Sequence, residues 1–414
     1  MKRHREILSA ICVAALFASS CDKKSPDKLM APIPESVAPA LEQVGPPPTE
    51  DEAKQFGFKL EQAIRERDGA KAEGMLRTRD LLLRCISDLG LTEEGIQACK
   101  QGIEDSVKRA SFSLQLLQNA ENGGTYKFLR VHTVDGRQRV LFRFIVGNGA
   151  IGYLDFIVAR LPDGTIGMED VYIVSSGELY SQTRRRLFIP IAAQANGAPN
   201  ISKEDKELVE SGPKLTAIRR SFRMGQFAEG IAKYGELPQS LRENKTILLS
   251  QIHSLSAQGR ATEAEYIEAL GKFRSLYPKD ACIDLLSIDY YFAKKDLDSA
   301  LKAINRVDES VGGDPQLAAM RANTYLEMKR FDDARQQVNA ALKVEPDLER
   351  AYWCGISITL HEMKHAETLE WLKKAVQDCK TAIPDLVSVP EYADFVKSPQ
   401  YHEWKKWYAE KRGK

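Results

Sequence analysis

Between residues 212 and 380 the chain matches itself at a fixed interval. Gly225 recurs as Gly259, Tyr291 as Tyr325, Ala300 as Ala334 and Ala341 as Ala375, always at the same spacing. A period of this length describes a supersecondary unit that cannot bury its apolar side alone, so successive units must stack. The clearest copy is DPQLAAMRANTYLEMKRFDDARQQVNAALKVEPD, Asp314 to Asp347. Small side chains such as Ala322, Ala334 and Ala341 let two antiparallel helices approach closely, with Tyr325 filling the gap beside the crossing. Pro346 stops the second helix, because its ring cannot continue the hydrogen-bond ladder. Neighbouring copies are more worn. One keeps Tyr291 and Ala300, one Gly259, Ala264 and Pro278, and one Gly225 and Phe227. About four units are expected.

The period and these positions resemble the tetratricopeptide repeat, from which the clearest copy departs at Ala318 and Arg321. The resemblance implies an all-α solenoid over 212–380, with the first helix of each unit on a concave side. It points to His253, Asp289, Phe292, Asn323, Glu327, Trp353, Ser357 and His361 as residues facing a protein or peptide partner. Residues 381–414, with charges around Trp404 and Trp407, read as capping helices that close the array.

The stretch HEMKH at 361–365 resembles the HExxH signature of zinc metallopeptidases, which needs His361, Glu362 and His365 on one unbroken helix. The repeat register opposes that reading, since it sets 361–365 against 327–331, where one helix ends and the next begins. Thr368 and Trp371 stand where a continuation of the signature needs glycine and histidine. No metal, cofactor or catalytic group is therefore expected, and a zinc hydrolase is the less favoured rival.

Upstream, residues 52–195 change period. Helices are expected over Phe56–Met75, Arg77–Ser87 and Thr92–Asn119, followed by strands over Tyr126–Thr133, Arg139–Val146, Ile151–Arg160 and Ile166–Val174. The connections Val134-Asp135-Gly136, Gly147-Asn148-Gly149 and Pro162-Asp163-Gly164 suit tight hairpins. The fold class is thus α+β, helices on an antiparallel four-stranded meander, followed by the helical repeats. The opening FGFKLEQAIRERDGAKAEGML is similar to the first helices of the cystatin and NTF2-like superfamily, which implies a cone able to hold a small ligand or carrier. His132, Asp155 and Glu169 read as polar residues on the outer face of half-buried strands. Arg184-Arg185-Arg186 reads as a solvated helical face.

Residues 1–20 combine a basic start, Lys2 to Arg5, with an apolar run from Ile7 to Ala18. That run is too short for a hydrocarbon core of about 30 Å, so it reads as a signal peptide. Ala18-Ser19-Ser20-Cys21 resembles the lipobox of bacterial lipoproteins, which implies lipidation at Cys21. Asp22 then resembles an inner-membrane retention signal, placing the chain in the envelope facing the periplasm. Residues 21–51, rich in proline, read as an extended tether. Lysines plus arginines (59) balance aspartates plus glutamates (58), so charge gives no pointer to nucleic acid. Past Cys21 five cysteines remain, and in an oxidising compartment Cys85 with Cys99, and Cys354 with Cys379, are the pairs that helical hairpins bring near. The expected function is a lipid-anchored scaffold that binds proteins through its repeats, with small-ligand binding by the α+β domain as the alternative.

Overall fold

The computed structural model describes residues 45–412 apart from 88, 148, 195–202, 257–261, 279 and 281. The leader, Cys21, Asp22, most of the tether and Gly259 lie outside the described residues. By compactness the chain divides after Ala293 into two units. That division falls inside the self-matching stretch.

The first unit opens with helix α1, Glu50–Glu66. Thr49 and Glu52 cap each other reciprocally at its start, and the acidic first turn suits the positive end of the helix dipole. The single helix expected to Met75 is instead two, because Arg67 turns left-handed (φ 58°) and Asp68 caps the new helix α2, Gly69–Leu76, by accepting from the Lys71 amide at 3.0 Å. Helix α3 covers Thr78–Arg84. The helix expected over Thr92–Asn119 also divides, into α4 (Glu93–Ala110) and α5 (Phe112–Glu121), with Ser111 accepting from the Leu114 amide at 3.1 Å. In both cases a short polar side chain satisfies amides that a continuous helix would have paired internally.

The sheet has strand order β1 (Thr125–Val134), β2 (Arg137–Ile145), β3 (Ile151–Arg160), β4 (Ile166–Ile173), β5 (Glu178–Leu179), antiparallel throughout. The fifth strand corrects the expected four; with only Glu178 and Leu179 it is too short to show a period. Asp135 (φ 50°) and Gly136 (φ 75°) take the positive angles of the first hairpin. One sheet face packs against the helices. Phe142 and Phe156 meet edge to face at 5.4 Å, and Phe56 of α1 reaches Phe156 at 6.1 Å. Helix α6, Tyr180–Gln194, follows, its start tied to the sheet where the Ser181 amide donates to Asp170 at 3.2 Å. The unit continues through α7 (Lys203–Glu210), α8 (Gly212–Arg223), α9 (Phe227–Gly235), α10 (Gln239–Glu243), α11 (Lys245–Ser256), α12 (Glu263–Leu276) and α13 (Ile283–Ala293). Gly225, at φ 73°, makes the turn between α8 and α9.

The second unit comprises α14 (Leu297–Val311), α15 (Pro315–Glu327), α16 (Phe331–Val344), α17 (Glu349–His361), α18 (His365–Asp378), three short 3-10 turns between Leu386 and Lys397, and α19 (Pro399–Arg412). Helices α14, α16 and α18 begin one repeat period apart, at Leu297, Phe331 and His365. Each is preceded by a non-glycine residue in the left-handed region: Lys295 (φ 57°), Lys329 (φ 58°) and Met363 (φ 58°). Ala300, Ala322, Ala334, Ala341 and Ala375 are fully buried. Pro346 stands exposed between α16 and α17, its carbonyl accepting from the Tyr352 hydroxyl at 2.8 Å. The Tyr325 ring lies under the Arg330 guanidinium at 4.6 Å, while in the first unit Tyr291 accepts from Arg274 at 2.6 Å. Ala264 departs from its expected packing role: it is exposed in the first turn of α12, whose inward residues are Tyr266, Ala269, Leu270 and Phe273. Among the described residues no helix is long and apolar enough to cross a membrane.

The left-handed turn costs a side-chain-bearing residue about 1 kcal/mol. Lys329 is exposed, so Lys329→Gly should raise stability to urea by roughly 0.5–1 kcal/mol, whereas the β-branched Lys329→Val should lower it.

Candidate functional site

The two histidines of HEMKH lie on either side of a turn. Helix α17 ends at His361, Met363 is left-handed, and α18 starts at His365. His361 Nδ1 sits 2.8 Å from the Ser357 carbonyl, and its ring lies 6.2 Å from Phe331. His365 faces Phe395 instead, at 5.9 Å. Glu362 pairs with Arg335 and lies 3.3 Å from Lys364. The imidazoles thus serve different neighbours, and the one-turn geometry of the zinc signature is not formed.

The other residues expected to face a partner fall into two groups. In the second unit Glu327 and His361 are exposed, and Ser357 is half-buried. Asn323 accepts from the Cys354 thiol at 2.9 Å, and Trp353 donates to Glu349 at 2.9 Å while packing on the C-terminal aromatic cluster. In the first unit Asp289 is buried and accepts from Tyr266 at 3.4 Å, so it belongs to the packing of α12 on α13 and not to an open surface. Phe292 is half-buried in the last turn of α13.

The expected disulfides are absent: Cys85, Cys99, Cys354 and Cys379 are thiols. Each is committed elsewhere by its helix face. Cys85 lies 3.6 Å from the Ser181 carbonyl, Cys99 is sealed in the core under α4, and Cys379 lies 3.3 Å from the Asp347 carbonyl. Burial pushes the thiols of Cys354 and Cys379 up to about 12, the reverse of what a reactive cysteine needs.

The second sheet face is buried as well, which corrects its assignment to solvent. Asp155 on β3 is fully buried, 3.1 Å from Arg139 on the neighbouring β2 and 2.8 Å from His132 Nε2 on β1, one strand further across the sheet. Glu169 is buried and pairs with Arg137 at 2.8 Å. Arg130 on edge strand β1 has two guanidinium nitrogens cut off from solvent and without a hydrogen bond, and burial lowers its pKa. The arginine run on α6 is likewise no solvated face: Arg184 lies over the Tyr180 ring at 4.6 Å, Arg185 donates to the Cys85 carbonyl at 3.3 Å, and Arg186 pairs with Glu178. Hydrophobic alternation marks which residues share a strand face. It carries no information about a later element packing on the polar one.

The first unit holds a cavity of about 660 Å³ bounded by β5, α6, α8 and α11. Its floor is Phe222 and Leu249, both buried; its rim carries Arg219 and Arg223, both exposed. His253 reaches in from α11, half-buried, with Nε2 shut off from solvent and unpartnered. Burial lowers its pKa to about 4, so the ring is neutral near pH 7. Glu178 also lines the cavity, but its charge is taken up by Arg186, with the Thr183 and Thr246 hydroxyls each at 3.3 Å. Of this constellation the repeat register identified only His253. The paired spacing of Arg219 and Arg223 on one helix face is the signal that could have found the rim.

Two measurements probe these buried groups. Between pH 6.5 and about 4 the unfolded chain takes up a proton that folded His253 refuses. Stability should therefore fall as pH drops through that window, by up to about 3 kcal/mol at 1.36 kcal/mol per unit. Urea titrations should show the slope weakened in His253→Gln. Asp155→Ala leaves Arg139 and His132 without their buried acceptor and should cost about 3–5 kcal/mol in the same assay.

The chain matches no protein-family model and no curated protein.

Proposed function

We propose that this chain is a membrane-anchored envelope lipoprotein whose helical hairpins form a tetratricopeptide-like array and hold a protein partner. The observation that carries the reading is the left-handed turn and helix start that recur at a constant period, at Lys295, Lys329 and Met363. Turns of one kind at a constant period suit hairpins that stack in series, and stacked units of that kind present one helix of each pair along a continuous surface. In the second unit that surface is lined by Asn323, Glu327, Ser357 and His361, with Trp353 as its aromatic member. Mixed aromatic and polar side chains of this kind divide anchoring from orientation in protein recognition. Lipidation at Cys21, by its likeness to a lipobox, would hold the array at the membrane, and the tether would carry it into the periplasm. Resemblance of the α+β part to the NTF2-like superfamily, and a sealing role for α19, belong to the same proposal.

A second reading, small-ligand binding in the first unit, is favoured by one observation, the cavity beside His253.

The scaffold reading is tested by expressing the whole chain and identifying what co-purifies from solubilised membranes. Cys21→Ser should move the chain from the membrane fraction to the soluble one. Glu327→Lys combined with His361→Glu alters two exposed positions, so the fold should survive, as circular dichroism will show, while partner recovery drops by about tenfold, the effect of about 1.4 kcal/mol. Undiminished recovery of every co-purifying protein would remove the repeats from partner binding.

A further inference from the structure

We infer that the cavity of the first unit is a binding site for an organic anion, a carboxylate or phosphate head on an apolar body. Arg219 and Arg223 share one face of α8, a turn apart, where like charges repel. Both are exposed, and neither makes an ion pair with a described residue. The one carboxylate among the described residues lining the cavity, Glu178, is already held by Arg186. His253 adds no charge near pH 7, because burial keeps its ring neutral. The rim therefore carries uncompensated positive charge, which an anionic head would neutralise.

Below the rim the chemistry changes. Phe222 and Leu249 form a buried apolar floor, and the unpartnered Nε2 of His253 is closed to water. A purely polar ion would leave the apolar lining wet, whereas an apolar body covers it and packs against the neutral imidazole. The volume of about 660 Å³ lies within the range of sites that enclose small organic ligands. The occupant inferred is thus a free amphiphilic anion, distinct from the protein partner of the repeats.

The test is calorimetric titration of the full chain with decanoate and with decyl phosphate, beside decanol and inorganic phosphate as controls. One saturable site is expected for at least one anionic amphiphile, and the difference between the two identifies the preferred head. Decanol and inorganic phosphate should bind about tenfold or more weakly, and added salt should weaken the anion. Arg219→Gln with Arg223→Gln should reduce anion affinity about tenfold without changing decanol binding. The ring nitrogen resonances of His253 should shift only with the amphiphiles. Decanol binding as tightly as the anions, arginine variants binding as the parent does, or no binding by either anion would overturn the inference.

Discussion

None of the short elements of this chain can bury its own apolar face, and closure of each on a neighbour is the constraint from which the rest follows. In the second unit closure depends on how near two helices can come. Ala322, Ala334, Ala341 and Ala375 are fully buried at these contacts, and a larger side chain there would drive the helices apart. The turns that permit the approach place Lys329 and Met363 in a conformation that favours glycine. A local cost is accepted so that the hairpin can close, a pattern that persists only where surrounding packing over-determines the backbone.

In the first unit closure operates on a sheet with two buried faces. The apolar face is covered by α1 and its neighbours, with Phe142 and Phe156 at the centre. On the other face the strands carry charges, and burial then requires that charges meet. Asp155 between His132 and Arg139, and Glu169 against Arg137, are the result. Buried pairs of this kind seldom add net stability compared with apolar packing, yet losing one member is costly. Their role is structural: Asp155 is held by His132 and Arg139, and Glu169 by Arg137.

The cavity beside His253 differs in that respect. Its arginines and its imidazole nitrogen are not consumed by internal partners, while its carboxylate is. Unpaired charges that line an opening are where a ligand has something to add. The histidines of HEMKH illustrate the opposite case. Their spacing suggested a metal, but His361 is bound to the Ser357 carbonyl and His365 is packed on Phe395.

Features written in neighbouring residues were legible without coordinates. The repeat period marked the starts of α14, α16 and α18, strand alternation located β1 to β4 nearly to their ends, and the turn between His361 and His365 followed from the register alone. Helix breaks at Asp68 and Ser111 were missed because one polar residue inside an amphipathic run is compatible with either outcome until a cap forms. The thiols of Cys85 and Cys354, the covering of the polar sheet face and the meeting of Glu178, Arg219 and His253 were decided only in three dimensions. These depend on which surfaces pack across long separations along the chain, and periodicity, being a short-range property, records that a face must be buried without recording what buries it.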